Sequence, residues 1–421
     1  MPTRRGRALL IGASALYFIA RILSVDELFA VASAAAVLPV LAMVTVRWAR
    51  YRLGFSRSIE RRRLFPGGRL VVRFSIRNLG HLPSPPLLLT DQAATALGGP
   101  SRFSLASLAP QKRETVVVER RPAARGKYAV GPLAARLVDP FGLAEANAIL
   151  AQAEDILVYP RVEQLTQGGP PADRSGSGPS AVFRLAPAGE EFYAVREYES
   201  GDPLRKIHWP SVARSGQLMI RQDEARFYPR ATILLDARIG THRGGTLDGS
   251  FEWAVSAAAS TIWHLGKQGF GLRLATDDRE PTSVRAGRTG AESLLEALAV
   301  LKASSNPSLL GAMRRLSRRP GSEGALLAIV PPPKAEELAA LARLRAVYRW
   351  CGAIVLDVTS FETVAPRVRA EADQRLAAAE GALIRAGWRV RSAGARDRYR
   401  DVWPTLIGAS PYLQSSASRR S

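Results

Sequence analysis

"RATILLDAR" (residues 230–238) is an apolar run bounded by charged residues, a pattern typical of a strand buried on both faces. The next stretch, 250–269, has its apolar residues at helical spacing and ends among glycines. Strand-like segments then alternate with helix-like ones as far as residue 393. The strand-like segments are FGLRLAT, ALLAIV, GAIVLDV and WRVRSA, and the helix-like ones are GAESLLEALAVLKA, KAEELAALARLRAVY and QRLAAAEGALIRAG. The sequence therefore predicts an α/β domain over 228–408, with a Rossmann-like parallel sheet covered on both faces.

Upstream of this domain the period changes from helical to strand-like. In "GGRLVVRFSIRNLG" (67–80), Leu70, Val72, Phe74 and Ile76 alternate with more polar residues. Further short strands separated by Pro, Gly and Asn predict a small antiparallel β-sandwich over 60–162. Residues 163–190 are rich in Gly, Pro and Ser, which favours a flexible linker. The Ser- and Arg-rich tail, 409–421, is predicted to be disordered.

Two apolar segments near the N-terminus, 8–25 and 28–46, are each long enough to cross about 30 Å of hydrocarbon as a helix. Residues 1–52 are therefore predicted to form a transmembrane hairpin. Arginines flank both outer ends, whereas the short connection is acidic, so the positive-inside rule predicts that both termini and the soluble domains are cytoplasmic. A signal peptide and a buried hairpin of a soluble protein are the alternatives.

The composition limits the partners. The chain has 59 Lys+Arg against 37 Asp+Glu, a net charge of +22, which suggests anionic lipid or nucleic acid. The basic clusters lack the interleaved aromatic residues of a single-strand binder, so we expect no nucleic acid, and a preference for Arg codons would also explain much of the excess. The basic flank at Arg47–Arg63 favours anionic lipid. The single cysteine, Cys351, lies in an apolar context and is interpreted as a buried small hydrophobe in a reducing compartment.

The densest run of charge, "REYESGDPLRKIHWPSVARSGQLMIRQ", spans 196–222 within a segment assigned to 191–227. Gly201-Asp202-Pro203 predicts a turn that caps a short helix. Pro210 either splits that helix or starts a second turn, and Ser215-Gly216 forms another turn. A strand over "QLMIRQ" follows.

Three interpretations of this run compete. It could be an active site in which His208 is a general base oriented by Asp202 or Glu199, although it lacks an evident nucleophile. It could be a docking surface with Trp209 as its anchor. In that interpretation three arginines bind a carboxylate-bearing partner or an anionic ligand: Arg205, Arg214 and Arg221. It could also be a brace in which its arginines and carboxylates pair internally. The candidate site residues are Arg196, Glu197, Tyr198, Gly201, Asp202, Arg205, Ile207, His208, Trp209, Ala213, Arg214, Gly216 and Arg221.

The same run, with "GEEFYAVREY" before it, strongly resembles the signature of the bacterial DUF58 family, a domain of unknown function. The resemblance extends to the apolar hairpin, to "NLGHLPSPPL", "GKYAVGP" and "DPFGL" in the β segment, and to the α/β end, which is similar to a von Willebrand factor A-like domain. It implies a protein of the bacterial inner or plasma membrane, often encoded beside a MoxR-type AAA+ ATPase. It implies no established activity. We therefore expect a non-catalytic scaffold or adaptor that works with such an ATPase in the assembly of protein complexes or of the envelope.

A von Willebrand A-like domain can bind Mg²⁺ through Asp-x-Ser-x-Ser after its first strand. Here the corresponding residues are Asp236-Ala237-Arg238-Ile239-Gly240, so both serine positions are replaced and a guanidinium sits where the cation would bind. We interpret Asp236, Arg238 and Gly240 as a degenerate metal site, with no metal and no cofactor. In an alternative interpretation Asp236 pairs with Arg238 or another arginine, and a Mg²⁺-dependent ligand-binding protein remains the competing function.

Overall fold

The computed structural model describes residues 1–50, 53–166, 168–171, 194–198, 204, 207–222, 229–277, 281–318 and 324–408. The predicted turn at 201–203 and the predicted tail after residue 408 lie outside the described residues.

The chain begins with a hairpin of two long apolar helices, α1 (Arg4–Leu23) and α2 (Asp26–Arg50). The Thr3 hydroxyl accepts the Gly6 N–H at 3.2 Å, which starts α1 earlier than the apolar run alone indicates. Both helices are long and apolar enough to cross a membrane, with lengths of about 30 Å and about 37 Å. About a fifth of each span or less is buried (17% and 22%), so this hairpin is not the enclosed core element of a soluble protein.

The β segment forms two sheets. Its strands are β1 (Leu53–Ile59), β2 (Arg63–Leu64), β3 (Leu70–Asn78), β4 (Leu87–Ala93), β5 (Ser101–Leu105), β6 (Arg113–Arg120), β7 (Gly126–Val138), β8 (Glu145–Ala151) and β9 (Glu154–Val158). One sheet has the order β1-β3-β6; the other has the order β2-β9-β7-β4-β5, with β8 also paired to β7. All neighbours are antiparallel except β2 and β9. We call these nine strands the β module.

The predicted inner face of β3 is confirmed, because Leu70, Val72, Phe74 and Ile76 are fully buried. They pack against apolar residues of β4, β7 and β9 in one core. Ala42 and Val46 of α2 join that core, so the helical hairpin is attached directly to the β module. The module also begins earlier than the predicted residue 60, since β1 pairs with β3 along its whole length.

The C-terminal segment alternates strands and helices, as predicted. Its elements are β12 (Arg230–Leu235), α4 (Ser250–Lys267), β13 (Gly271–Ala275), β14 (Thr282–Val284), α5 (Arg288–Val300), α6 (Leu310–Arg318), β15 (Ala325–Val330), α7 (Ala335–Arg343), β16 (Trp350–Leu356), α8 (Pro366–Arg385), β17 (Arg389–Ala393) and α9 (Tyr399–Ile407). The sheet order is β14-β13-β12-β15-β16-β17, and all neighbours are parallel except β13 and β14. One face packs on α4, α5 and α9 and the other on α6, α7 and α8. The short strand β14 and the helices α6 and α9 were not predicted.

Between the two large units, the described residues of the charged run form a small separate element. Strands β10 (Ala194–Glu197) and β11 (Met219–Gln222) pair antiparallel, and helix α3 (Trp209–Ser215) lies between them in sequence.

Part of the predicted linker is packed. The Glu163 N–H donates to Ser260 Oγ at 2.9 Å, and the Gly168 carbonyl lies 2.7 Å from His264 Nε2. Val162 and Leu165 pack on the core beside α4. The linker assignment is therefore wrong for the described residues of 163–171, while residues 172–190 lie outside the described ones.

Arg125 connects the β module to the C-terminal sheet. Its side chain is 7% exposed and forms an ion pair with Glu252 of α4. Its guanidinium also donates to the carbonyls of Leu298, at 3.0 Å, and Leu301, at 2.8 Å, at the end of α5. A cation at a helix C-terminus satisfies carbonyls that the helix itself leaves free. Burial lowers the pKa of Arg125 and raises the pKa of Glu252, although each partner's charge partly offsets the effect on the other.

We predict that Arg125→Ala lowers the free energy of unfolding by about 3 kcal/mol, because it leaves Glu252 and two helix carbonyls without their cation. Urea unfolding of the detergent-solubilised protein, followed by tryptophan fluorescence, measures this loss. Lys127→Ala is the matched control, since the Lys127–Asp155 pair is exposed and contributes about 0.5 kcal/mol or less. Equal losses for the two variants would contradict the bridging role of Arg125.

Candidate functional site

The strand order of the C-terminal sheet reverses between β12 and β15. From β12 the chain moves outward to β13 and β14, and then returns to the other side of β12 for β15, β16 and β17. In open α/β sheets, ligand sites lie outside the carboxyl ends of the strands at such a switch point. Asp236 follows β12 directly and therefore stands at this position.

Arg238 is the cation of this switch point. Its Nε donates to Asp236 Oδ1 at 2.9 Å and its Nη2 donates to Asp236 Oδ2 at 2.7 Å. On the other side, Nη1 donates to Glu337 Oε1 at 2.5 Å and Nη2 to Glu337 Oε2 at 3.2 Å. The three side chains are almost completely buried. One guanidinium therefore bridges the Asp236 carboxylate, just after β12, and the Glu337 carboxylate, in the first turn of α7.

All five N–H groups of the Arg238 side chain have acceptors, because the second Nη1 hydrogen points to the Pro307 carbonyl at 3.3 Å. Burial alone would lower the pKa of Arg238, but the hydrogen bonds to Asp236 and Glu337 raise it well above its usual value. Burial would likewise raise the pKa of Glu337; the hydrogen bond from the Leu309 N–H and the Arg238 charge lower it instead.

This donor set does not fit a divalent cation, since the guanidinium fills the space between the two carboxylates. Gly240, the last residue of the degenerate motif, has open space around it, and Ile239 is exposed. In the described part of the chain, no group of three or more His, Cys, Asp or Glu side chains is placed to hold a metal ion. The Asp236–Arg238 pairing matches the alternative interpretation of the sequence.

Glu337 was missed at the sequence level, although its position carried a signal. It stands three residues after Lys334, the N-cap of α7, and accepts the Lys334 N–H at 3.2 Å, as a capping acid does. It also accepts the Leu309 N–H at 3.0 Å. Nothing in the local sequence indicates its contact with Arg238, because 99 residues separate the two.

His242 and Ser250 support the same loop from the other side and were also missed. His242 Nε2 lies 2.9 Å from the Asp236 carbonyl, so this nitrogen carries the proton and donates. Its Nδ1 then accepts from Ser250 Oγ at 3.0 Å, while that oxygen accepts the Arg243 N–H at 2.9 Å. Burial lowers the pKa of His242, which favours the neutral ring that this arrangement needs. The histidine is therefore a structural contact of the loop.

The described part of the charged run presents an exposed apolar surface. Trp209 is 67% exposed, Leu204 64% and Leu218 45%, and no residue of α3 is buried. We call these three residues the Trp209 patch. An exposed tryptophan is typical of a protein-binding anchor. This exposure agrees with the docking interpretation of the run, while the internal brace stays a prediction.

The local structure around His208 differs in part from the prediction. The described helix begins at Trp209 with Pro210 in its first turn, where its missing N–H has no cost, and ends at Gly216 with φ of 71°. His208 Nδ1 lies 2.8 Å from Ser211 Oγ, and its backbone N–H donates to the Met219 carbonyl at 2.9 Å. The ring thus contacts the first turn of its own helix, whereas the partners expected for a general base, Asp202 and Glu199, lie outside the described residues.

Other predicted residues of the run fall into three groups. Glu197 pairs with Met219 in the strand register, Tyr198 donates its N–H to the Leu218 carbonyl, and Ala213 and Arg214 are exposed on α3. The backbones of Arg196 and Arg221 lie in β10 and β11. Gly201 and Arg205 lie outside the described residues.

The charged run and the switch point lie in a segment that matches a known protein family. Residues 194–331, which include the charged run and the switch point, match the family described as protein of unknown function DUF58. This segment is therefore similar to the DUF58 family. The DUF58 segment thus begins at β10 and ends just after β15, so it contains Asp236 and Arg238 but not Glu337.

The chain is 25% identical over 234 residues to the uncharacterized protein YeaD of Bacillus subtilis. The match covers 53% of this chain and spans little more than half, 56%, of the relative. Among solved structures, the conserved hypothetical protein BatB from Bacteroides thetaiotaomicron is 9% identical, with a TM-score of 0.28, over 43% of this chain and 97% of that one. An aerotolerance-related membrane protein from Bacteroides fragilis is 9% identical, with a TM-score of 0.29, over 42% and 96%. Because both TM-scores are this low, these two structures carry no weight in assigning a family or a fold to this chain.

We predict that Arg238→Ala lowers the free energy of unfolding by about 3–5 kcal/mol near pH 7, because two buried carboxylates lose their shared cation. Without the Arg238 charge, burial should raise the pKa of Glu337, so acidification to about pH 5 should reduce the difference in stability from the wild type. Urea unfolding at the two pH values measures both effects. Arg369→Ala, which breaks the partly exposed pair with Asp357, is the control and should cost about 1 kcal/mol or less at either pH.

The stability of the wild-type protein, in contrast, should fall as the pH is lowered. The pKa of Glu337 is lowered below its usual 4.5, so its contribution to stability is present above that pH and is lost as pH falls through the lower folded value. If Arg238→Ala were destabilised relative to the wild type by the same amount at about pH 7 and about pH 5, the charge-pair explanation would be contradicted.

Proposed function

We propose that the protein is a non-catalytic, membrane-anchored scaffold or adaptor that faces the cytoplasm and works with a MoxR-type AAA+ ATPase. The observation that carries this proposal is the switch point, where Arg238 fills the ligand position of the sheet with every N–H donor used. A position closed by a buried internal cation is suited to holding loops together rather than to binding substrate or metal.

The strand order supports a more specific description of the two soluble units. We interpret the C-terminal sheet, with its short antiparallel third strand at the edge, as a von Willebrand A-like domain. We interpret the two facing sheets of the β module as a sandwich. Both are modules that commonly present binding surfaces, and neither shows a catalytic set of residues in its described part.

The hairpin supports the membrane location and the orientation. The first residues of α1 and the last turns of α2 both contact the β module, so the connecting turn at Ser24 and Val25 lies at the far end. Arginines stand at the β-module end and acidic residues at the turn, which under the positive-inside rule places the soluble units in the cytoplasm.

The Trp209 patch is the surface that we assign to the ATPase or another protein partner. We predict that Trp209→Ala reduces partner recovery at least about tenfold, because an exposed aromatic anchor contributes about 2 kcal/mol or more to an interface. Affinity isolation of the tagged full-length protein from native membranes, with quantitative mass spectrometry of the eluate, measures the change. Ile384→Ala, which truncates an exposed aliphatic side chain on α8, is the control. Failure to recover any ATPase or envelope-assembly protein with the wild type would count against the proposed function.

We also predict that calorimetric titration of the detergent-solubilised full-length protein with Mg²⁺ gives no binding heat, because Arg238 occupies the space between the carboxylates. Binding that Asp236→Ala abolishes would contradict this and would favour the Mg²⁺-dependent alternative. Binding that Asp236→Ala leaves unchanged would arise elsewhere and would not concern the switch point.

A further inference from the structure

A cleft of about 470 Å³ lies where the N-terminal end of α1 meets the turn between β7 and β8. Four arginines and one glutamate line it, and the remaining lining residues are small or apolar. The lining includes Thr3, Arg4, Arg5, Arg7, Arg136 and Glu145. Three of these arginines come from the N-terminal flank of α1. The fourth, Arg136, comes from near the C-terminal end of β7, 129 residues further along the chain than Arg7.

The backbone of this cleft is held in place by the β module. Pro2 forms a β-bridge with Ala144, and the Thr3 N–H donates to the Leu143 carbonyl at 2.9 Å. The Thr3 hydroxyl donates to the Gly142 carbonyl at 2.5 Å. The first turn of α1 is therefore fixed against the β7–β8 turn, and the arginines of both elements are brought to one place by folding.

Most of the positive charge in the cleft is uncompensated. Arg136 forms a two-bond ion pair with Glu145, in which its Nε donates at 2.9 Å. Arg4, Arg5 and Arg7 are exposed and make no ion pair within the described residues. Arginine carries a planar set of donors that matches the oxygens of a phosphate group, so this set of residues favours a phosphate.

The cleft also lies at the depth of lipid headgroups. The apolar run of α1 begins at Ala8, immediately after Arg7, and Trp48, near the end of α2, is 65% exposed. Tryptophan concentrates at the boundary between the hydrocarbon and the headgroups. A phosphate at the surface of the bilayer would therefore face the four arginines directly.

We propose that this cleft is a specific site for the phosphate group of an anionic phospholipid, bound by Arg4, Arg5, Arg7 and Arg136. The proposal rests on the membrane anchoring in the proposed function. It goes beyond a general attraction between basic flanks and an anionic bilayer, because it assigns a role to Arg136, which belongs to the folded β module and not to the flank.

Native mass spectrometry of the full-length protein, released from nanodiscs that contain equal amounts of phosphatidylglycerol and phosphatidylcholine, tests the proposal. The wild type should retain phosphatidylglycerol selectively. Arg136→Gln should reduce this selectivity about fivefold, the effect of one arginine at the membrane surface. Arg136→Lys should restore it in part, because the charge returns without the planar donors. Arg102→Gln, at an exposed position of β5, is the matched control and should have no effect.

The double variant Arg136→Gln/Glu145→Gln separates a site from overall charge. It leaves the net charge of the protein unchanged, so a purely electrostatic attraction predicts full selectivity, whereas the proposed site predicts a loss. Full selectivity in this double variant would overturn the proposal, whatever the result for Arg136→Gln alone. Displacement of the retained phosphatidylglycerol by inorganic phosphate would also overturn it, since the cleft would then take a soluble anion.

The same nanodisc experiment distinguishes a failure of the membrane anchoring from a failure of the cleft. A chain that fails to insert into nanodiscs contradicts the membrane anchoring, and with it the proposed function. A chain that inserts stably but shows no preference between the two lipids contradicts the cleft alone. Circular dichroism of each variant confirms that the fold is retained, which is expected because the Arg136–Glu145 pair is exposed.

Discussion

The fold of the C-terminal unit depends on one guanidinium placed between two buried carboxylates. Arg238 follows the first strand, Glu337 begins the helix after β15, and the loop before α6 supplies the Pro307 carbonyl. Three segments that are distant in sequence thus meet at a single cation. Removing three charges from water is costly, and the cost is offset here only because each N–H of the guanidinium has an acceptor. The arrangement consequently specifies how these loops sit at the carboxyl edge of the sheet.

The arginines that make the chain strongly basic have two physical roles. Arg57, Arg120, Arg125 and Arg238 have side chains that are at most 7% exposed, and each is paired with a carboxylate. These residues work inside the protein and contribute little to its external field. Other arginines, such as those of the first turn of α1, are exposed and stand at the membrane end of the molecule. A net charge of +22 does not distinguish the two groups, because pairing is a property of the folded chain.

Elements with a periodic pattern could be predicted from the sequence, whereas the pairing of side chains that are distant in sequence could not. The alternation of Leu70, Val72, Phe74 and Ile76 indicated the buried face of β3, and the β/α alternation after residue 228 indicated a parallel sheet. Strand β14 is three residues long and lies at a sheet edge, too short for a periodic signal. The segment before residue 172 has the composition of a linker yet packs on α4 through its backbone groups, which composition does not report. Asp236 and Arg238 are neighbours in sequence and could be paired in advance, whereas Glu337 could only be found from the fold.

A series of contacts connects the apolar hairpin to the switch point. Ala42 and Val46 of α2 lie in the core of the β module, and Arg125 of that module binds Glu252 in the first turn of α4. Two residues before Glu252, Ser250 accepts the Arg243 N–H and bonds to His242, which in turn holds the Asp236 carbonyl. Each step is a packed apolar contact or a hydrogen bond with a buried or half-buried partner, so the loop at Asp236 has a fixed position relative to the hairpin. This continuity is what the proposed scaffold role needs. A membrane-anchored protein that holds a partner at a defined height above the bilayer must resist the forces that the partner applies, and a connection made of buried contacts does so better than a flexible tether.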